Sequence, residues 1–173
     1  MRGPVPRAVN QRHPLNSLSP QVEWRSDAGA VIAGGFIAGT VDVGAASLIY
    51  WRDPVLILQT IACGVLGPAS FSGGLRSAAL GLGLQWAMSL IIAAAYLLAV
   101  TLIPVFRSAW IKGGLLGGGV IFLVMNYVVL PLSAVGRGPR FTAPKFLENL
   151  LAMFLFGLII AFLLRTRPNP NNP

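Results

Sequence analysis

Asp42 is the residue of this chain best placed to do chemistry, because the stretch around it offers a carboxylate no water. It lies eight residues before Tyr50, inside an apolar run that begins near Ala28. A carboxylate at that depth in hydrocarbon costs roughly 2.5–3.5 kcal/mol on insertion scales, so it must face protein or a cavity. At helical spacings of three, four and seven its neighbours are Gly35, Ala38, Gly39, Ala45, Ala46 and Ile49. This is a face of small residues, centred on Gly35-x-x-x-Gly39, of the kind that lets a second helix come close. Asp42 is therefore expected to point into a helix bundle. Counted from the same membrane side, Gln85, Ser89, Asn126 and Asn149 reach comparable depth and are expected to form a polar intramembrane cluster with it.

Two readings of that cluster stand side by side. Intramembrane ionisable groups often mark pathways, which suggests a polar pocket or a proton-accepting site. Alternatively, Asp42 bonded to Gln85 and Asn126 simply joins helices, at about 0.6–2 kcal/mol per bond. The absence of a deep basic partner favours the second, because an isolated carboxylate makes a poor relay.

Other chemistries are excluded by residue type. The single cysteine, Cys63, allows no internal disulfide and no cysteine-based zinc site. The single histidine, His13, lies in a polar tail, so neither a tetrahedral metal site nor a Ser-His-Asp arrangement can be assembled. Glu148 follows Lys145 by three residues, the spacing of an interfacial ion pair. Gly113, Gly114, Gly117, Gly118 and Gly119 look like a phosphate loop but lack its Lys-Ser/Thr ending and preceding strand. The pairs Gly113/Gly117 and Gly114/Gly118 instead suit close helix packing, within the chain or between copies in a homo-oligomer. An enzyme acting on lipid would have only Asp42, Glu148 and the Ser70/Ser72 turn to work with. The expectation is a non-enzymatic protein without cofactor or metal.

The elements that must hold these residues are read from hydropathy. Of the 173 residues 55% are hydrophobic and 10% charged, with a mean hydropathy of +0.72. A soluble domain carries about 25% charged residues, so the surface of this one faces lipid. The net charge of +8 could suggest nucleic acid, but the basic residues lie in the tails and between apolar runs rather than on one face. That is the distribution of charge excluded from hydrocarbon, and it makes the bilayer, not nucleic acid, the partner.

The fold class expected is an all-α membrane protein, a bundle of four transmembrane helices. The spans run from about Ala28 to Tyr50, Leu75 to Ile103, Lys112 to Leu132 and Pro144 to Leu164. Trp24 and Arg25, Tyr50 to Arg52, and Trp110 with Lys112 are interface anchors. Residues 54–67 are apolar but too short to cross, and predict a re-entrant or interfacial helix between spans one and two. Residues 1–27, with Pro4, Pro6, Pro14 and Pro20, are expected to be a flexible basic tail, and residues 166–173 a disordered one. The first apolar run is too long for a signal peptide, so a retained anchor is expected.

Four spans put both tails and the 104–111 loop on one side, with Arg2, Arg7, Arg12, Arg25, Arg107, Lys112, Arg165 and Arg167. Arg52, Arg76, Arg137, Arg140 and Lys145 fall on the other, which favours cytoplasmic termini. The strings Ala38-Gly-Thr-Val-Asp42, Leu66-Gly-Pro-Ala69 and Met125-Asn-Tyr-Val-Val-Leu-Pro131 resemble those of small uncharacterised four-helix proteins of the bacterial inner membrane, of the YagU-like kind. The resemblance covers residues 30–164; it implies four spans and an inner-membrane location but no activity and no site residues. The function expected is thus an accessory or structural membrane protein, with a small oligomeric transporter or proton-coupled channel using Asp42 as the alternative.

Overall fold

The computed structural model describes residues 20–103, 106, 109–136 and 141–165. Every element among them is helical, and five helices are long and apolar enough to cross a membrane. Helix α1 spans Pro20–Tyr50, α2 Pro54–Leu66, α3 Gly74–Leu102, α4 Trp110–Val124 and α5 Ala143–Arg165. Residues 20–27, expected to close the basic tail, are thus the first turns of α1. Pro20 opens that helix, a position where its missing N–H costs nothing and its fixed φ favours the helix. The rest of that tail, the C-terminal tail and Arg107, Arg137 and Arg140 lie outside the described residues.

Local chemistry explains the breaks. The chain leaves α1 through a nested pair of bonds, Arg52 N donating to Ser47 O at 3.1 Å and Trp51 N to Leu48 O at 3.4 Å. Such a helix end needs a left-handed residue, usually glycine; here Trp51 takes φ 50°. The ring it carries is almost fully exposed, as an interface anchor must be. Asp53 caps α2, its carboxylate accepting from Val55 N at 2.7 Å, and Pro54 fills the first turn. Gly67, at φ 62°, ends α2 and turns the chain into a 3-10 segment, Gly67–Ser72. Together they make the 19-residue apolar stretch Pro54–Ser72, although α2 alone, at 13 residues, is only about 20 Å long. A second left-handed glycine, Gly74 at φ 57°, then opens α3.

Beyond Val124 the α4 helix widens into a π segment, Met125–Val129, before a last turn at Leu130–Leu132. Pro131 accounts for it: the ring cannot donate and would strike the carbonyl four residues back, so the turn before it opens.

The helices stand in a row, α4–α5–α1–α3–α2, each packed mainly on its neighbours in that order. Glycines make the joints. A Cβ on Gly35 would meet Leu90, and one on Gly39 would lie 2.5 Å from Ser89 Oγ, so α1 and α3 run antiparallel in close contact. Gly81 admits the Leu58 carbonyl of α2, and Gly118 admits the backbone of Met153 and Phe154 in α5, while Gly157 receives Gly114 and Gly118 in return. The half of the bundle towards the termini is apolar, with Ala38, Ala93, Tyr96, Phe156 and Ile160 buried together. Large apolar side chains such as Leu75, Ile91, Leu98, Leu102 and Leu132 point outwards, as they do when the surrounding solvent is lipid.

These joints set an expected ranking. Gly118→Ala should lower the thermal unfolding midpoint in detergent, by about 1–3 kcal/mol of overpacking. Gly83→Ala, where an added Cβ meets nothing within 4 Å, should raise it by up to about 1 kcal/mol through helix propensity. Differential scanning fluorimetry on the two purified variants measures both.

Candidate functional site

The helices place Asp42, Gln85, Ser89, Asn126 and Asn149 on the wall of a single cavity of about 200 Å³. Asp42 comes from α1, Gln85 and Ser89 from α3, Asn126 from the π segment and Asn149 from α5. The cavity lies in the half of the bundle away from the described core of Ala38, Ala93 and Ile160.

Direct bonds within this group are few. Gln85 Nε2 donates to Asp42 Oδ2 at 2.9 Å, which ties α3 to α1. The same nitrogen lies 3.4 Å from Gly39 O. Ser89 Oγ, almost wholly buried, turns back to Gln85 O at 2.8 Å. Asn126 Nδ2 donates to Phe122 O in its own helix at 2.8 Å and makes no bond to Asp42. Asn149 Nδ2 donates to Lys145 O at 2.7 Å and to the Tyr50 hydroxyl at 2.9 Å, joining α5 to the end of α1. Within the group of five only Asp42 and Gln85 bond to each other across helices, and Asn149 reaches a different helix only through Tyr50. Among the described residues no group donates to the amide oxygen of Asn126 or Asn149.

A second cavity, of about 610 Å³, shares Asp42, Gln85 and Met125 with the first. It is bounded by Tyr50 and Arg52 from the end of α1, by Thr60 and its neighbours on α2, and by Phe71 of the 3-10 segment. Asp42 therefore stands where a wide chamber meets a narrow one. Arg52, exposed just beyond the end of α1 and ten residues from Asp42, lines the far part of the same chamber. The chamber is closed on its other side by α2, which packs along α3.

Several wall residues carried no usable sequence signal. Met88, Met125 and Met153, from three helices, all line the narrow cavity; as flexible thioethers they fill an irregular apolar space. Asn126 sits on the π segment, and its one advance sign was Pro131. Widened turns of this kind recur at functional sites because they re-aim a side chain.

Lys145 and Glu148 stand at the edge of this half. Their ion pair is 2.8 Å long, and Lys145 Nζ also donates to the Ile49 carbonyl. A cation at the C-terminal end of α1 satisfies a free carbonyl and complements the helix dipole. That makes Lys145 a pin between α5 and α1.

No family model, curated protein or solved structure matches this chain. What the site can do follows from its donors and acceptors. A carboxylate and two amide oxygens around open space can hold a proton, a water cluster or a small cation. Among the described residues there is no group of three or more His, Cys, Asp or Glu side chains that could bind a metal ion.

The Asp42–Gln85 bond yields a test. Gln85→Leu strands the carboxylate and should cost about 1–3 kcal/mol of stability, whereas Asp42→Asn keeps a partner for Gln85 and should stay within about 1 kcal/mol of the parent. The double replacement Asp42→Leu with Gln85→Leu should cost less than the sum of the single ones. Urea or SDS unfolding of the set reads the coupling.

Proposed function

We propose that this chain is a multi-pass protein of the bacterial inner membrane whose polar half forms a water-filled vestibule ending at Asp42, and that it takes up a proton or small cation there. The observation that carries this reading is the pair of cavities that meet at Asp42, Gln85 and Met125. Direct pairing of Asp42 with Asn126 would have favoured a purely adhesive cluster; Asn126 instead bonds its own helix. Arg52, at the exposed end of α1, gives the outer part of the chamber a positive charge.

In this reading four helices cross, with cytoplasmic termini, and α2 with its 3-10 segment is a re-entrant hairpin against α3. Its support is the break at Gly67 and the close approach of Leu58 to Gly81, which lay α2 along the first half of α3. The narrow cavity does not continue through the apolar half, so passage across the membrane needs a second state or an oligomer. The glycines at Gly35, Gly39, Gly81, Gly114 and Gly118 are occupied within the chain, so copies would meet through other faces.

An accessory, structural role is the second reading, and the 2.9 Å bond between Asp42 and Gln85 favours it. Proton flux in proteoliposomes separates the two: the transport reading expects Asp42→Asn to abolish flux while the protein remains folded. Flux equal to that of the parent would remove Asp42 from any pathway. Topology is checked independently by reporter fusions at each end, which four crossings put on one side and five put on opposite sides. In a Cys63→Ser background, Thr60→Cys should react with an impermeant thiol reagent from the side opposite the termini, and Ala93→Cys, in the buried core, should not.

A further inference from the structure

The amide groups around Asp42 are all turned the same way. Gln85 Nε2 donates to the Asp42 carboxylate, Asn126 Nδ2 to Phe122 O and Asn149 Nδ2 to Lys145 O. Each of these partners can only accept, so each amide presents its nitrogen there and its oxygen elsewhere. No described group donates to Gln85 Oε1, Asn126 Oδ1, Asn149 Oδ1 or the second carboxylate oxygen, Asp42 Oδ1. Nor are these four oxygens closed off. Among the described residues, the unpaired polar side-chain atoms sealed from all open space are the hydroxyls of Ser70 and Tyr96. The open space common to Asp42, Gln85, Asn126 and Asn149 is the narrow cavity of about 200 Å³.

Oxygens from four elements, with the amide nitrogens bonded to protein, make a wall that accepts and does not donate. The rest of that wall is apolar, with Met88, Ile121 and Phe156 among its residues. It disfavours an anion and suits a hard cation, which carboxylate and carbonyl oxygens bind. Charge narrows the choice. Asp42 is the one ionisable residue lining the cavity; Lys145 and Glu148 pair with each other at its edge, and Arg52 stands at the outer end of the neighbouring chamber. A monovalent cation cancels that single charge. A divalent one would leave net positive charge among apolar helices, where uncompensated charge is expensive. A proton also cancels it, but a proton needs one oxygen, and Asp42 supplies that alone. The amide oxygens brought by α3, the π segment and α5 are accounted for by an ion that must replace its hydration shell.

We propose that the narrow cavity binds one alkali-metal cation, held by the Asp42 carboxylate and the amide oxygens of Gln85, Asn126 and Asn149. This rests on the reading of Asp42 as the cation-accepting group and names the class of cation. The wide chamber, which meets the cavity at Asp42, Gln85 and Met125, is its route from water.

Binding of radioactive sodium to the purified full chain in mild detergent, read by scintillation proximity at fixed pH, tests this. The parent should bind one sodium ion per chain, and calcium at the same concentration should not displace it. Asp42→Asn should abolish binding. Asn126→Leu and Asn149→Leu should each weaken it about tenfold, the size of one lost contact to a charge. An added carboxylate should change the charge preferred: Asn126→Asp and Asn149→Asp should gain calcium binding that the parent lacks. Circular dichroism and elution volume identify a variant that has unfolded, and either asparagine position then stands in for the other. Sodium binding that survives Asp42→Asn, that neither leucine variant weakens, or that calcium matches in the parent would each overturn the proposal, as would two folded aspartate variants that gain no calcium. A parent that binds no sodium, while its proton flux in proteoliposomes still depends on Asp42, also overturns it and leaves the reading of Asp42 as a proton-accepting group intact. No dependence on Asp42 in either assay removes both.

Discussion

Within a bilayer, helices gain nothing by hiding apolar surface from one another, because the lipid is as apolar as they are. Association then depends on how closely two backbones can approach, and in this protein that is decided wherever a side chain is missing. Gly118 receives the backbone of Met153, Gly81 the Leu58 carbonyl, and Gly39 the Ser89 hydroxyl. Each joint orders the row of helices α4–α5–α1–α3–α2. The polar cavity and the chamber beside it are what remain where no glycine brings neighbours together.

The division of the bundle into two halves follows from that packing. Towards the termini, Ala38, Ala93, Phe156 and Ile160 close the interior completely. Towards the other side, α2 replaces α1 as the neighbour of the first turns of α3, and Pro131 widens the end of α4. Both changes hold elements apart. Polar side chains are tolerated there because they can face enclosed space rather than lipid, and the cost of a buried carboxylate is reduced by the Gln85 donor. Lys145, bonded to Ile49 and paired with Glu148, holds the rim of that half together.

How far the sequence reached differs from element to element. The long apolar runs were legible because hydropathy and length are properties of the chain itself. So were the ends at Tyr50, Leu102 and Leu132, where anchors, loops or proline interrupt the run. The start of α1 at Pro20 was not, since proline density reads as a tail while a proline in the first turn of a helix does no harm. The depth of Asp42, Gln85, Ser89, Asn126 and Asn149 could be counted, which is why all five fall around one cavity. Their bonding could not be counted: Asn126 turns to its own helix and Asn149 to Tyr50, choices made by local rotamers and by where α1 ends.

By itself, then, the sequence determined that the protein is built of apolar helices, which polar residues share a depth, and which faces are small enough to pack. Those properties are periodic and local, and they survive in a linear reading. Tertiary structure alone decided which small face meets which helix, and so placed Gly114 and Gly118 against α5 but Gly113 and Gly117 under Tyr96. It alone closed the chamber beside Asp42 with α2 and left α3 and α4 apart. Cavities are the spaces left over after all joints have closed, and no single segment of chain contains the information that defines them.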